Sequence, residues 1–175
     1  MDRAGVEREI VGRTQTIDVL RAIPLGVILP LETSVLLTIA IKHFDASAVV
    51  KGIIAAGGGI GLLVSPYLTS LTRRLDVPAM RMAAWVALAG AVGFALAATG
   101  SLPLYVVGVL LALTAVNGTI PLLTFTYQRN FPTEDRGRRV GRGLAMRVAV
   151  SAPLAVLIGA WLRDRLDLWW LIILG

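Results

Sequence analysis

Five long apolar segments decide what this chain can fold into. Each contains about 18 to 24 residues, and because a helix rises about 1.5 Å per residue, each reaches across most or all of a hydrocarbon core of roughly 30 Å. The segments run over about residues 23–41, 48–71, 82–99, 104–127 and 144–162. A sixth apolar run begins at Leu168 and stops after eight residues, so we expect the sequence to be truncated within a sixth span. The pattern predicts an all-α, polytopic transmembrane helical bundle with five spans and the start of a sixth.

The composition favours the same class of protein. Hydrophobic residues make up 56% of the chain and charged residues 16%, and the mean hydropathy is +0.76, whereas a soluble domain carries about 25% charged residues. The net charge of +6 comes mostly from arginines near the ends of the apolar segments, where anionic headgroups are the nearest partners. No basic face with interleaved aromatic residues lies outside these segments, so we expect contact with the lipid bilayer and no binding to nucleic acid.

The residue types needed for several kinds of chemistry are missing. The chain has no cysteine and one histidine, His43, which leaves no basis for disulfides, thiol chemistry, haem or a zinc site of His and Cys ligands. It also offers no paired acids and no nucleophile with a neighbouring base. We therefore expect no metal, no cofactor and no enzymatic activity.

The basic residues also predict the orientation. Residues 1–22 form a polar N-terminal tail, either an interfacial helix or a frayed end, and residues 23–175 form the transmembrane domain. Thirteen basic residues lie in the tail and in the loops after the second and fourth spans, and four lie on the opposite side. Because cytoplasmic loops carry the excess of Lys and Arg, the N-terminus is predicted to be cytoplasmic, in a plasma or inner membrane.

Three polar residues inside apolar segments are the candidate binding residues. Glu32 lies near the middle of the first span, Asn117 at a similar depth in the fourth, and Arg147 one turn into the fifth. An ionisable group at such depth is costly, so it normally faces a cavity or a partner, and removal from water favours the protonated acid. Glu32 is therefore a candidate for binding a solute or proton, or else a bridge between helices. Asn117 has the same two alternatives, and Arg147 either reaches the cavity or extends to the headgroups.

The second span is rich in glycine. Gly57 and Gly61 form a small-xxx-small pair, a spacing that lets another helix approach closely. We interpret them as helix-packing residues.

The layout and two loops resemble the N-terminal half of a transporter of the major facilitator superfamily. Arg73 and Arg74 follow the second span, although Ser70 stands where the family's motif has an aspartate. Pro132 and the stretch 136–141, which reads Arg-Gly-Arg-Arg-Val-Gly, are similar to the family's P-x-x-x-R-G-x-x-x-G pattern after the fourth span.

The resemblance implies a fold and a function. Each half of such a transporter contains two inverted repeats of three spans, and the substrate site lies between the halves. Spans one and four line the cavity, which would place Glu32 and Asn117 there. The chain would then move a small solute, with a coupling proton or sodium ion, by alternating access. The basic loop residues would lock one conformation or merely fix the topology; they are Arg73, Arg74, Arg136, Gly137, Arg138, Arg139 and Gly141.

Two alternatives remain open at this stage. The chain pairs either with a C-terminal half or with a second copy of itself to complete the pathway. In a different class, it is a non-transporting membrane scaffold, sensor or accessory subunit whose basic loop contacts a partner or anionic lipid.

Overall fold

The described part of the chain is helical throughout and contains no strand. The computed structural model describes residues 3–174, apart from the side chains of Arg3, Ala4, Glu7 and Thr33. Residues 1, 2 and 175, which belong to the predicted tail and the last apolar run, lie outside the described residues. Helix α1 (Arg3–Pro30) continues through a π-helical turn (Leu31–Val35) into α2 (Leu36–Lys42). The remaining helices are α3 (Ala48–Arg74), α4 (Ala79–Ala97), α5 (Leu102–Gly118), α6 (Ile120–Asn130), α7 (Arg136–Asp164), a 3-10 turn (Leu166–Leu168) and α8 (Trp169–Leu174).

Four helical runs among the described residues are long and apolar enough to cross a membrane. They are Ala48–Arg74, Ala79–Ala97, Leu102–Asn130 and Arg136–Asp164, and they contain the predicted second, third, fourth and fifth spans almost entirely. The third run includes both α5 and α6, because only Thr119 separates these helices. The protein thus has the build of a multi-pass membrane protein. The first predicted span is also helical, but it is divided among α1, the π-helical turn and α2.

The helices extend beyond the apolar segments that reveal them. The polar loop predicted between the fourth and fifth spans shrinks to residues 131–135, because α6 ends at Asn130 and α7 begins at Arg136. Residues 3–22 are likewise helical rather than frayed, and Asp18 and Ala22 are buried. Hydropathy shows which part of a helix is apolar. The backbone hydrogen bonds of a helix continue through polar residues as well, so the helix can be longer than its apolar part.

Three helix pairings make up most of the bundle. Helix α5 packs most extensively against α4 and, on another face, against α3, while α1 packs mainly against α7. The main hydrophobic core joins these pairs near the α2–α3 connection and the starts of α5 and α8. There Tyr105 is fully buried, and its hydroxyl donates to the Leu36 carbonyl at 2.5 Å. The rings of Phe44 and Trp169 pack against Tyr105, with centroids 4.8 and 5.7 Å from it.

Gly57 and Gly61 lie where α3 meets α5. A Cβ atom at Gly57 would lie 2.7 Å from the Leu113 Cδ1 atom. A Cβ atom at Gly61 would lie 2.9 Å from the Thr114 carbonyl oxygen and 2.8 Å from the Asn117 Cβ atom. The pair therefore sets the closest approach of these two helices, and Gly61 sets it against backbone that cannot rotate away.

Gly61→Ala is expected to separate α3 from α5 and to lower the free energy of unfolding by about 1 to 3 kcal/mol, the usual cost of overpacking. The measurement is thermal unfolding of the purified protein in detergent, followed by tryptophan fluorescence. Gly59→Ala is the matched control, because a Cβ atom there meets nothing within 4 Å. Equal midpoints for the two variants would contradict this account of the contact.

Candidate functional site

The structure brings together the three polar residues that the sequence places in separate apolar segments. Glu32 lies in the π-helical turn, Asn117 near the end of α5, and Arg147 in α7. The Asn117 Nδ2 atom donates to Glu32 Oε1 at 2.5 Å and to the Leu113 carbonyl at 3.0 Å. The other carboxylate oxygen, Glu32 Oε2, lies 3.7 Å from an Arg147 guanidinium nitrogen. One carboxylate therefore connects three helices that are far apart in sequence.

The two contacts of Glu32 differ in kind. The bond from Asn117 is short, whereas 3.7 Å to Arg147 is an ion-pair distance that is too long for a direct hydrogen bond. The side chains of Glu32 and Arg147 are 17% and 23% exposed, so water screens their attraction only in part. In addition, the Arg147 Nε atom is buried without a hydrogen-bond partner in the described part of the chain. Arg147 is thus held near Glu32 but retains unused donors.

Local backbone features place these side chains. Pro30 precedes the π-helical turn, in which the Leu36 N–H bonds to the Leu31 carbonyl, five residues back. Pro121 follows the interruption at Thr119. Because proline has no backbone N–H, it cannot donate a hydrogen bond to a carbonyl of the preceding turn. Each proline therefore loosens the backbone ladder within a few residues of Glu32 or Asn117. Interruptions of this kind occur often at functional positions in helices.

Two glycines lie beside this contact, and the first of them is required by the close approach of α7. A Cβ atom at Gly26 of α1 would lie 2.7 Å from the Arg147 carbonyl oxygen and 2.8 Å from the Val150 Cβ atom, so only glycine lets α7 lie this close. On the α3 side, a Cβ atom at Gly58 would lie 3.5 Å from Asn117 Nδ2 and 3.7 Å from Glu32 Oε1. The polar contact is thus enclosed by backbone on two sides.

A cavity of about 410 Å³ extends from this contact toward the end of the bundle where α6 meets α7. Asn117 and Arg147 lie at one end of its wall, and Gln128 and Arg136 at the other. The rest of the wall comes from α1, α5, α6 and α7: Asp18, Arg21, Ala22, Leu25, Val116, Thr119, Ile120, Leu123, Thr124, Tyr127, Val140, Gly143 and Leu144. Its size falls within the range of small-molecule sites, about 300 to 1,000 Å³.

A second polar cluster, which the sequence did not single out, lies along this cavity. Asp18 is 6% exposed; its Oδ1 atom accepts from the Tyr127 hydroxyl and, at 3.0 Å, from the Arg21 guanidinium. Arg21 also donates to the Tyr127 hydroxyl oxygen at 2.7 Å. The cluster joins α1 to α6. The available signal was the i, i+3 spacing of Asp18 and Arg21, hidden in a segment that looked like a solvated tail.

Helix α7 closes over this cluster because of a glycine. A Cβ atom at Gly143 would overlap the Asp18 carboxylate, so any larger residue would displace either the helix or the acid. On the other side of the cluster lies a second cavity, of about 340 Å³, whose wall includes Arg13, Ile17 and Met80. Asp18, Arg21 and Tyr127 line both cavities, so the cluster forms part of the partition between them.

The basic residues after the fourth apolar segment lie at the start of α7. Arg138 and Arg139 contact the Asp135 carboxylate at 2.8 and 3.4 Å, and Arg139 also lies over the Phe131 ring. Arg136 instead donates to the backbone carbonyls of Gln128 and Phe131 at 3.1 and 3.2 Å. Arg136 therefore lines the cavity without a carboxylate partner in the described chain.

The structure does not join the two parts of the predicted switch. Arg73 and Arg74 are exposed at the end of α3, and their side chains form no hydrogen bond or ion pair with the described residues. Gly137 and Gly141 face open space, because a Cβ atom at either would meet nothing within 4 Å. Their grouping into one conformational switch stays a prediction.

Within the described residues, no group of three or more His, Cys, Asp or Glu side chains is placed to hold a metal ion. No family model matches the sequence, and neither a curated protein nor a solved structure matches it. A function for this site must therefore follow from its own geometry and chemistry.

Tyr127→Phe is expected to lower the free energy of unfolding by about 1 to 3 kcal/mol, because it removes a hydrogen bond from a buried carboxylate. The measurement is the thermal unfolding midpoint in detergent. Tyr67→Phe is the control, because the Tyr67 side chain is 65% exposed. If both variants unfolded at the wild-type temperature, the cluster would contribute nothing to stability.

Proposed function

We propose that this chain is half of a secondary transporter that moves a small solute by alternating access. The observation that carries this proposal is the contact of the Glu32 carboxylate with Asn117 of α5 and Arg147 of α7, two residues that line the 410 Å³ cavity. A pair of ionisable groups inside apolar helices costs insertion energy, about 2.5 to 3.5 kcal/mol for each charge on translocon scales, and is typical of transport pathways.

The packing of the helices supports this proposal. Suppose that α1–α2, α3 and α4 form one repeat and that α5–α6, α7 and α8 form the next. Then α1 corresponds to α5, and α3 corresponds to α7. The pair of α1 with α7 in one repeat arrangement is therefore equivalent to the pair of α5 with α3. These are two of the main pairings in the bundle. Inverted repeats with this exchange are the usual plan of secondary transporters, including those of the major facilitator superfamily.

The positions of the interruptions support it as well. The first helical run of each repeat is interrupted partway, by the π-helical turn in one and at Thr119 in the other. Glu32 lies in the first interruption, and Asn117 lies two residues before the second. Substrate and ion sites of secondary transporters are typically formed by discontinuous helices near the bilayer midplane.

Under this proposal, α1 and α2 together form a first span, α8 begins a sixth, and the N-terminus is cytoplasmic. A second unit, either a further half or a second copy of the chain, would close the open side of the cavity. The exposed apolar side chains of α7, such as Val156 and Leu157, belong to its lipid or partner face. The Asp18 cluster then closes the cytoplasmic end, and breaking its contact between α1 and α6 opens the cavity on that side.

Single-cysteine labelling tests this function directly, because the chain contains no cysteine of its own. Val116→Cys lies in the cavity wall next to Asn117. We expect a membrane-impermeant maleimide to label it from both sides of sealed vesicles, since alternating access exposes the cavity to each side in turn. Leu63→Cys, at 82% exposed on α3, is the control, and it should react from neither side if α3 faces lipid.

Labelling of Val116→Cys from one side only, whatever solutes are supplied, would contradict alternating access. It would favour instead a membrane scaffold or sensor with a fixed cavity and a basic surface at the start of α7.

A further inference from the structure

We infer that the 410 Å³ cavity binds a small organic monoanion, an oxyanion on an apolar body, and that Glu32 takes up one proton when the anion binds. The inference rests on the proposed transport function and names its solute class and coupling ion. It follows from the charges around the cavity, from the loose contact of Arg147 and from the composition of the wall.

The charges around the cavity leave an excess of guanidinium. Arg21 is paired with Asp18 at 3.0 Å, and Arg147 with Glu32 at 3.7 Å. Arg136 contacts only backbone carbonyls among the described residues. Even with both carboxylates ionised, the lining thus retains one uncompensated positive charge, which favours an anionic ligand over a neutral or cationic one.

Two arginines of the cavity wall, Arg136 and Arg147, have a buried Nε atom without a partner in the described chain, and Arg147 is the one that can receive an anion beside Glu32. It lines the cavity, its distance of 3.7 Å from Glu32 is too long for a hydrogen bond, and its buried Nε atom has no partner in the described chain. A guanidinium has five N–H donors in a planar fork that matches the two oxygens of a carboxylate or similar oxyanion. An anion in the cavity can therefore form bonds that Glu32 does not form.

The same geometry makes the solute and the proton interdependent. One guanidinium faces two candidate anions, and if the solute takes Arg147, the mostly buried Glu32 loses its counter-charge. Glu32 contacts the neutral Asn117 amide of α5 and Arg147 of α7 and lies near Gly58 of α3, and no other described Lys or Arg forms an ion pair with it. A proton from the medium then adds to Oε2, while Oε1 still accepts from Asn117. One anion and one proton enter together, and the charge of the site is unchanged.

The aliphatic side chains of the cavity wall indicate that the ligand has an apolar part in addition to its anionic group. Between the polar ends the cavity is lined largely by aliphatic side chains: Leu25, Val116, Ile120, Leu123, Val140 and Leu144. An inorganic anion would leave these side chains facing water, whereas an apolar body would cover them. The ligand that fits is a monoanion with a hydrocarbon or aromatic part.

The test uses a probe that does not itself titrate. Benzenesulfonate remains an anion across the pH range, and benzenesulfonamide is a neutral molecule of nearly the same shape. Binding to the full-length protein, in nanodiscs of zwitterionic phosphatidylcholine, is measured by calorimetry in buffers of different ionisation enthalpy, which reports the proton uptake. We expect benzenesulfonate to bind with uptake of one proton and more tightly as the pH falls, and benzenesulfonamide and inorganic phosphate to bind at least about tenfold more weakly.

Two variants assign the roles. Glu32→Gln mimics the protonated acid, so it should bind benzenesulfonate at every pH without proton uptake. Arg147→Gln should weaken binding by about tenfold or more, which corresponds to about 1.4 kcal/mol. Arg142→Gln, at an exposed position of α7 outside the cavity wall, is the matched control and should bind like the wild type.

Three results would overturn the inference: equal binding of the sulfonate and the sulfonamide, unchanged proton uptake in Glu32→Gln, or unchanged affinity in Arg147→Gln. Loss of sulfonate binding when phosphatidylglycerol is added would also overturn it, because the occupant would then be a lipid headgroup. The labelling of Val116→Cys needs no ligand, so two-sided labelling without sulfonate binding would remove only the anion and leave the transport function standing.

Discussion

One partly buried carboxylate joins three helices of the bundle. Glu32 receives an amide donor from α5 and a guanidinium from α7. Removing either partner leaves the partly buried Glu32 carboxylate incompletely compensated. The requirement fixes the rotation of three helices about their axes, and the loosened backbone near Pro30 and Pro121 supplies the local freedom to meet it.

The Asp18 cluster solves a related problem differently. Asp18 is more buried than Glu32, and its oxygen is satisfied by short contacts to Arg21 and Tyr127. Because Arg21 also bonds to Tyr127, the three side chains form a closed network in which each polar group has its partner. Glu32 and Arg147 lack this closure. Of these two polar contacts, the Asp18 cluster is saturated, whereas the contact of Glu32 with Arg147 leaves the Arg147 Nε atom without a partner in the described chain.

The sequence predicted the helical class of the chain and its membrane character, because long apolar segments are visible without knowledge of the fold, and the described residues confirm both. It also singled out Glu32, Asn117 and Arg147, since polar residues stand out against apolar neighbours. The family resemblance implied that Glu32 and Asn117 share a cavity, but the sequence did not predict that they form a hydrogen bond or that Arg147 joins them. The rotation of each helix is set by tertiary contacts such as that of Gly26 with α7. Asp18 was missed for the opposite reason: in a polar segment, a buried acid looks like an exposed one. The six-span count and the superfamily resemblance stay predictions.

The π-helical turn sets the phase of the longest continuous helical run in the chain. A turn with hydrogen bonds from residue i to i−5 holds one more residue than a regular turn, so everything beyond it is rotated by about 100° relative to an uninterrupted helix. Asp18 lies before this turn and meets Tyr127, whereas Leu36 lies after it and meets Tyr105. The additional residue in the π-helical turn therefore contributes to the register in which Asp18 and Leu36 both meet the fourth apolar segment. Conversion of the π-helical turn to a regular α-helix would rotate the two ends of this run relative to each other by about 100°. A change in five residues would thus be transmitted to both ends of the run as a rotation.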